Sequence, residues 1–112
     1  MVGRERRRDE RKPLRAFVRC QARNETFMLP VVNASASGLF LAGEPGALRA
    51  FSVGTELELA VLPMDDLDAE PALLRGVIAR VSYGSATEPA GFGIAITRGR
   101  DEARYAELLR KS

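Results

Sequence analysis

Apolar and polar positions alternate along most of this chain with a period of two, the mark of strands that bury one face. In Ala16–Ala22 the residues Ala16, Val18, Cys20 and Ala22 alternate with Phe17, Arg19 and Gln21. In Thr26–Asn33, Phe27, Leu29 and Val31 share a face, and Pro30 weakens that strand or makes it an edge. Asn24 and Glu25 between these two runs suit a hairpin turn. The polar bend Asn33-Ala34-Ser35-Ala36-Ser37-Gly38 leads into the short apolar run Leu39–Leu41. Gly43-Glu44-Pro45-Gly46 and Ser52-Val53-Gly54-Thr55 read as a loop and a turn. Glu56–Leu62 is the next strand, with Leu57, Leu59 and Val61 inward. The stretch Pro63–Pro71, with Asp65, Asp66, Asp68 and Glu70, reads as a solvated acidic connector. Leu73–Tyr83 is a longer strand in which Val77, Ala79, Val81 and Tyr83 alternate with Ile78, Arg80 and Ser82. After the loop Gly84–Pro89 comes Gly91–Thr97, with Phe92, Ile94 and Ile96 on one face. Gly93 and Ala95 on the other face permit close backbone approach.

The period then changes. From Asp101 to Arg110, Tyr105, Leu108 and Leu109 fall at i, i+3, i+4, a helical spacing whose apolar stripe packs on the sheet. Asp101 suits the start of that helix, and Arg110 and Lys111 suit its end. Six or so short strands with no helix between them predict an antiparallel sheet closed as a sandwich or small barrel, because closure removes exposed edges. The terminal helix covers one opening or flank. Cys20 is expected as a small core residue. Arg80 points away from the Val77/Ala79/Val81 face and is either a plain exposed arginine or one that reaches a ligand on the exterior.

Composition narrows the chemistry. The chain has 112 residues, enough for one domain, and its 46% hydrophobic and 29% charged residues suit a folded globule. No apolar run approaches the roughly 18 residues that span a bilayer, so no membrane insertion is expected. The opening MVGRERRRDERK has no hydrophobic segment after its charges, unlike a secretory signal. One cysteine allows no intrachain disulfide, which fits a reducing compartment, and the expected localisation is cytoplasmic. There is no histidine, which excludes a histidine-based catalytic triad and imidazole metal ligands. No nucleophile–base pair is apparent, so an enzyme is not expected, and neither is a cofactor or metal.

Charge is unevenly placed. Residues 1–15 hold Arg4, Arg6, Arg7, Arg8, Arg11, Lys12 and Arg15 against Glu5, Asp9 and Glu10, a net +4, and the remainder of the chain carries −2. Such an arm reads as a solvated tail, as a nonspecific nucleic-acid or anionic-membrane arm, or as half of a clasp for a specific anion. A matching motif in the body favours the clasp. Arg7-Arg8-Asp9-Glu10-Arg11 is an RxxxR, and 22 residues after Arg11 stands the NxSxxG that starts at Asn33. That separation is about two strands and a turn, so a hairpin returns the chain to its starting end. The chemistry suits a guanine nucleotide. An arginine fork matches the O6/N7 edge of guanine, and another pairs with phosphate oxygens. Asn33 can accept from the guanine N–H edge. Ser35 can donate to a phosphate or hold the bend. Gly38 permits positive φ or close approach.

These two motifs, in this order and at this separation, resemble the signature motifs of the PilZ domain family, RxxxR and [D/N]xSxxG. Gly91-Phe92-Gly93-Ile94-Ala95-Ile96 resembles the family's last core strand. The resemblance runs from about Arg6 to Leu109. It implies an all-β fold, a six-stranded antiparallel β-barrel with a C-terminal helix, and a receptor for the bacterial second messenger cyclic di-GMP, of the kind that regulates motility or biofilm formation. By position it makes Arg7 and Arg11 the motif arginines and Asn33, Ser35 and Gly38 the opposite wall, with Arg8 beside them. Arg6, directly before the motif, implies a ligand bound as a stacked dimer. The expected organisation is a basic flexible arm over residues 1–12 and a barrel over 13–112, with the helix at about 101–110. Ligand is expected to order the arm and so present a new surface to an effector protein. Two other readings are a PilZ-like interaction module without nucleotide, acting in pilus or motility assembly, and a small nucleic-acid-binding barrel. The last is disfavoured by the inward placement of most of the five Phe and two Tyr, and no specific DNA or RNA partner is expected.

Overall fold

A computed structural model describes residues 11–22, 24–99 and 101–111. The strands are β1 (Ala16–Ala22), β2 (Glu25–Ala34), β3 (Gly38–Ala42), β4 (Glu56–Pro63), β5 (Ala72–Ser82) and β6 (Gly91–Gly99). They close into an antiparallel barrel in the order β1-β2-β3-β6-β5-β4. A helix, α1 (Pro45–Ala50), links β3 to β4, and α2 (Glu102–Lys111) follows β6. The expected six-stranded barrel with its terminal helix is therefore the observed architecture. Among the described residues no helix is long and apolar enough to cross a membrane.

The alternation explains the closure. Val18, Leu29, Leu41, Leu59, Ile78, Phe92 and Ile94 point to one interior, each at or below 4% exposure. Phe51 stacks edge-on against Phe27 at 5.4 Å and Phe92 at 5.2 Å, so three rings fill the barrel at the end where β2 begins. Asn24 turns β1 into β2 with a φ of 66°, a conformation asparagine tolerates.

Two readings need correction. The chain between β3 and β4 is not wholly loop. Pro45 sits in the first turn of α1, and Ala47 and Phe51 drop into the barrel mouth. Six residues are too few to show a helical period, so burial rather than pattern fixes this turn. Pro30 does not mark an edge either, since the closed barrel leaves none. It stands opposite Phe17 at the last β1–β2 pair, just before β2 takes up β3 at Val31 opposite Leu41. The missing N–H falls where one ladder hands over to the next.

The start of α2 is tied to the barrel. The Asp101 carboxylate accepts the Leu73 amide at 2.9 Å, so this side chain anchors the helix to β5. Tyr105 is buried against the core, with Leu108 and Leu109 packed beside it.

Candidate functional site

The site begins with an irregularity in β2. Val31 pairs with Leu41, and Asn33, not Val32, pairs with Phe40. One extra residue on β2 makes a bulge, and a one-residue slip turns every following side chain to the other face. Strict alternation would put Asn33 with Leu29 and Val31 inside. The bulge puts Asn33 on the outer surface and Ala34, fully buried, into the core.

The chain just before the barrel comes to the same place. Lys12 pairs antiparallel with Ala34 through two backbone bonds, Lys12 N–H to Ala34 O at 2.9 Å and Ala34 N–H to Lys12 O at 2.8 Å. Arg11 then donates from Nη1 to Asn33 Oδ1 at 3.1 Å. The second arginine of RxxxR and the first residue of NxSxxG are thus in direct contact. Arg6, Arg7 and Arg8 lie outside the described residues.

Below them the bend is braced. Ser35 is 2% exposed, its N–H donates to Gly38 O at 2.8 Å, and its Oγ accepts the Ser37 amide at 3.3 Å. The Ser35 carbonyl accepts the Tyr105 hydroxyl at 2.7 Å, so α2 holds the bend from inside. Burial pushes the Tyr105 phenol above its ordinary range, and the nearby positive Arg11 partly opposes this. Tyr105 therefore stays a neutral donor at physiological pH. Gly38 serves close approach and not positive φ. A Cβ there would stand 2.8 Å from the Ile94 carbonyl oxygen and 3.3 Å from Arg11 Nη2.

From Asn33 a row of residues crosses the outer face. Asn33 opposes Phe40, Phe40 opposes Gly93, and Gly93 opposes Arg80. Phe40 lies between the inward Leu39 and Leu41, so its ring faces out, yet it is only 2% exposed. The Arg80 guanidinium lies over it, 5.0 Å from the ring centroid. Gly93 makes this possible, because a Cβ at that position would come within 3.0 Å of Arg80 Cγ. Arg80 donates from Nη1 to Glu88 Oε1 at 2.9 Å, and its Nη2 pairs with Glu88 Oε2. The Arg80 fork holds the Glu88 carboxylate below its ordinary range.

Arg80 is aimed outward by a second register shift, between Ile78 and Arg80 on β5. Ile78 is in the core, and without the shift Arg80 would follow it inside. The arginine was visible in the sequence, but its partners Phe40, Gly93 and Glu88 were not. The register across β3, β6 and β5 brings Phe40 and Gly93 to it, and the loop between β5 and β6 brings Glu88.

The chain was compared with known proteins. A family model described as PilZ domain matches residues 5–111. Among solved structures, the Bacillus subtilis inhibitor of motility MotI/DgrA superposes with a TM-score of 0.73 at 19% sequence identity. That match covers 94% of this chain and 48% of the other, so the chain spans about half the length of that protein. No curated protein matches the chain.

Proposed function

The chain belongs to the PilZ domain family, and from that premise we propose that it is a receptor for cyclic di-GMP that uses the Arg11–Asn33 corner as its recognition site. PilZ domains are binding and adaptor domains, so the output proposed is a contact and not a reaction. The observation that carries the reading is the 3.1 Å bond between Arg11 Nη1 and Asn33 Oδ1, which joins the two motifs at one point of the surface.

Each role follows from the donors present. Arg11 offers a planar fork to a guanine O6/N7 edge or to a phosphate. Asn33 has one amide oxygen to accept a guanine N–H, and Arg11 turns toward that same oxygen. Ser35, buried, serves the site by keeping the bend in shape through Oγ. Gly38 keeps the bend flat against β6 so that the ligand lies close. Arg6, Arg7 and Arg8 are assigned to the phosphates and to the second molecule of a stacked ligand dimer. Neutralising these arginines is proposed to order the basic arm of residues 1–12, whose Arg11 and Lys12 already meet Asn33 and Ala34, and the surface so formed is offered to an effector protein. MotI/DgrA is named as an inhibitor of motility, and a motility output is the corresponding proposal here.

Calorimetric titration of the full chain with cyclic di-GMP tests this. Wild type is expected to bind, with a stoichiometry that separates single from stacked ligand. Arg7→Ala and Arg11→Ala are each expected to weaken binding about 10- to 150-fold, the worth of one hydrogen bond to a charged group. Ser35→Ala is expected to weaken it less. Variants that bind as tightly as wild type would show the site assignment to be wrong.

A further inference from the structure

We infer that Arg80 is a further ligand-contacting residue of this face, held in reserve by Glu88, whose carboxylate occupies the position a ligand phosphate takes. The inference rests on the cyclic di-GMP reading above and extends the site across β3 and β6 to β5.

The geometry carries it in three steps. First, Arg80 is in the row of Asn33. Asn33, Phe40, Gly93 and Arg80 are consecutive cross-strand partners on β2, β3, β6 and β5. Strands lie about 4.8 Å apart, so the Arg80 backbone is roughly 14 Å from that of Asn33. The Arg80 side chain shortens this span, because it runs over Gly93 to lie on Phe40, the direct neighbour of Asn33. Arg11 with Asn33 thus stands at one end of the row, and Arg80, lying over the buried Phe40 ring and paired with Glu88, reaches toward it from the other.

Second, the approach is built. A register shift turns Arg80 outward, and Gly93 leaves the groove in which its stem lies. Phe40 supplies a π-face that favours a cation above it. An arginine merely solvated on a strand requires none of these.

Third, the partner is an oxyanion placed from outside the sheet. Glu88 lies in the β5–β6 loop, in a turn held by the Ser85 amide to the Glu88 carbonyl at 2.8 Å. Ser85 Oγ accepts the amides of Thr87 at 3.2 Å and Glu88 at 3.1 Å. Its carboxylate meets the Arg80 fork through both oxygens. A phosphodiester presents the same two-oxygen edge with the same single negative charge. Glu88 is exposed enough to leave, with its side chain 35% accessible. Exchange of a carboxylate for a phosphate on one guanidinium costs no new buried charge.

Two substitutions with opposite effects test this. In calorimetric titrations with cyclic di-GMP, Glu88→Gln is expected to bind roughly 2- to 5-fold tighter than wild type, since it removes a surface competitor. Arg80→Gln is expected to bind about tenfold weaker or worse, since it removes a charge-assisted contact. A structural role for the pair would make both variants weaker by similar factors, and that result overturns the inference. So does binding that depends on Arg11 but ignores both Glu88→Gln and Arg80→Gln, which leaves the receptor reading standing. Wild type that fails to bind overturns the receptor reading and this inference together. Thermal melts confirm folding, and Glu88→Gln, a surface isostere, keeps the test decisive should Arg80→Gln be poorly folded.

Discussion

Strand β5 carries two outward arginines, each facing a glutamate, and the two ends of the strand treat them differently. Arg75 meets Glu58 through a single contact at 3.4 Å, on side chains 60% and 67% exposed. The two residues are direct cross-strand partners on β5 and β4, in an unbroken register. Arg80 meets Glu88 through both nitrogens and both oxygens, over a buried ring, with a glycine beside its stem. Its glutamate comes from a loop turn braced by Ser85. The residue types are the same. The surface beneath them decides whether the pair is a passing contact in water or part of a shaped site. On the β1–β4–β5 side the sheet is regular and the pairing incidental. On the β2–β3–β6–β5 side the ladders shift register three times, at Val31/Asn33, Arg75/Gly76 and Ile78/Arg80, and the first and last of these, with a glycine, place the polar groups of the site.

A buried titratable group stands behind each face, and this gives the largest expected effect. Cys20, in β1 behind the plain side, has its thiol pushed up by burial from 9.0 to about 11. Its neutral form is favoured in the fold, so the stability it contributes is complete below pH 9 and is lost as pH rises toward 11. The span corresponds to about 2–3 kcal/mol at 1.36 kcal/mol per unit. Denaturant unfolding of wild type at pH 7.5, 9, 10 and 11 is expected to show this fall, and Cys20→Ala to flatten it. Equal slopes in the two proteins would mean that the thiol is not desolvated.

Behind the site, Tyr105 titrates in the same direction but also makes a bond. Tyr105→Phe leaves the buried Ser35 carbonyl without its 2.7 Å donor. The expected loss at neutral pH is about 1–3 kcal/mol in unfolding free energy. The change also loosens the bend that carries Asn33 and Gly38, so ligand affinity should fall with stability. Lost stability with unchanged affinity would show that the bend keeps its shape without α2.

The contrast also explains what could be read from the chain. The strands were legible because alternation is a local signal, and Val18, Leu29, Leu59 and Ile94 each sit in such a run. Tyr105, Leu108 and Leu109 announced α2 by their spacing. The short α1 gave no period to read. The contact of Arg11 with Asn33 was legible as a motif pair but not as geometry, because alternation alone turns Asn33 inward. A bulge is a defect in the local pattern and is fixed by what the partner strand offers, here Phe40 opposite Asn33. The Arg80 row was least legible. It depends on the register of four strands from three separate stretches of chain, and no window of sequence contains it.

The smallest effect tests the plain end of the strand. Arg75→Gln removes one of two charges that touch at 3.4 Å in open solvent. Water screens such a pair, and holding two long side chains together costs entropy that offsets the attraction. The expected change in unfolding free energy is below about 0.5 kcal/mol, and it should shrink as salt is raised toward 1 M, where the screening length falls to about 3 Å. Affinity for cyclic di-GMP should stay within about twofold of wild type, since Arg75 stands on β5 roughly 16 Å of strand from Arg80, about two Debye lengths at physiological salt. A loss of affinity as large as that of Arg80→Gln would mean that net positive charge, and not the shaped surface around Phe40 and Gly93, is what the ligand senses.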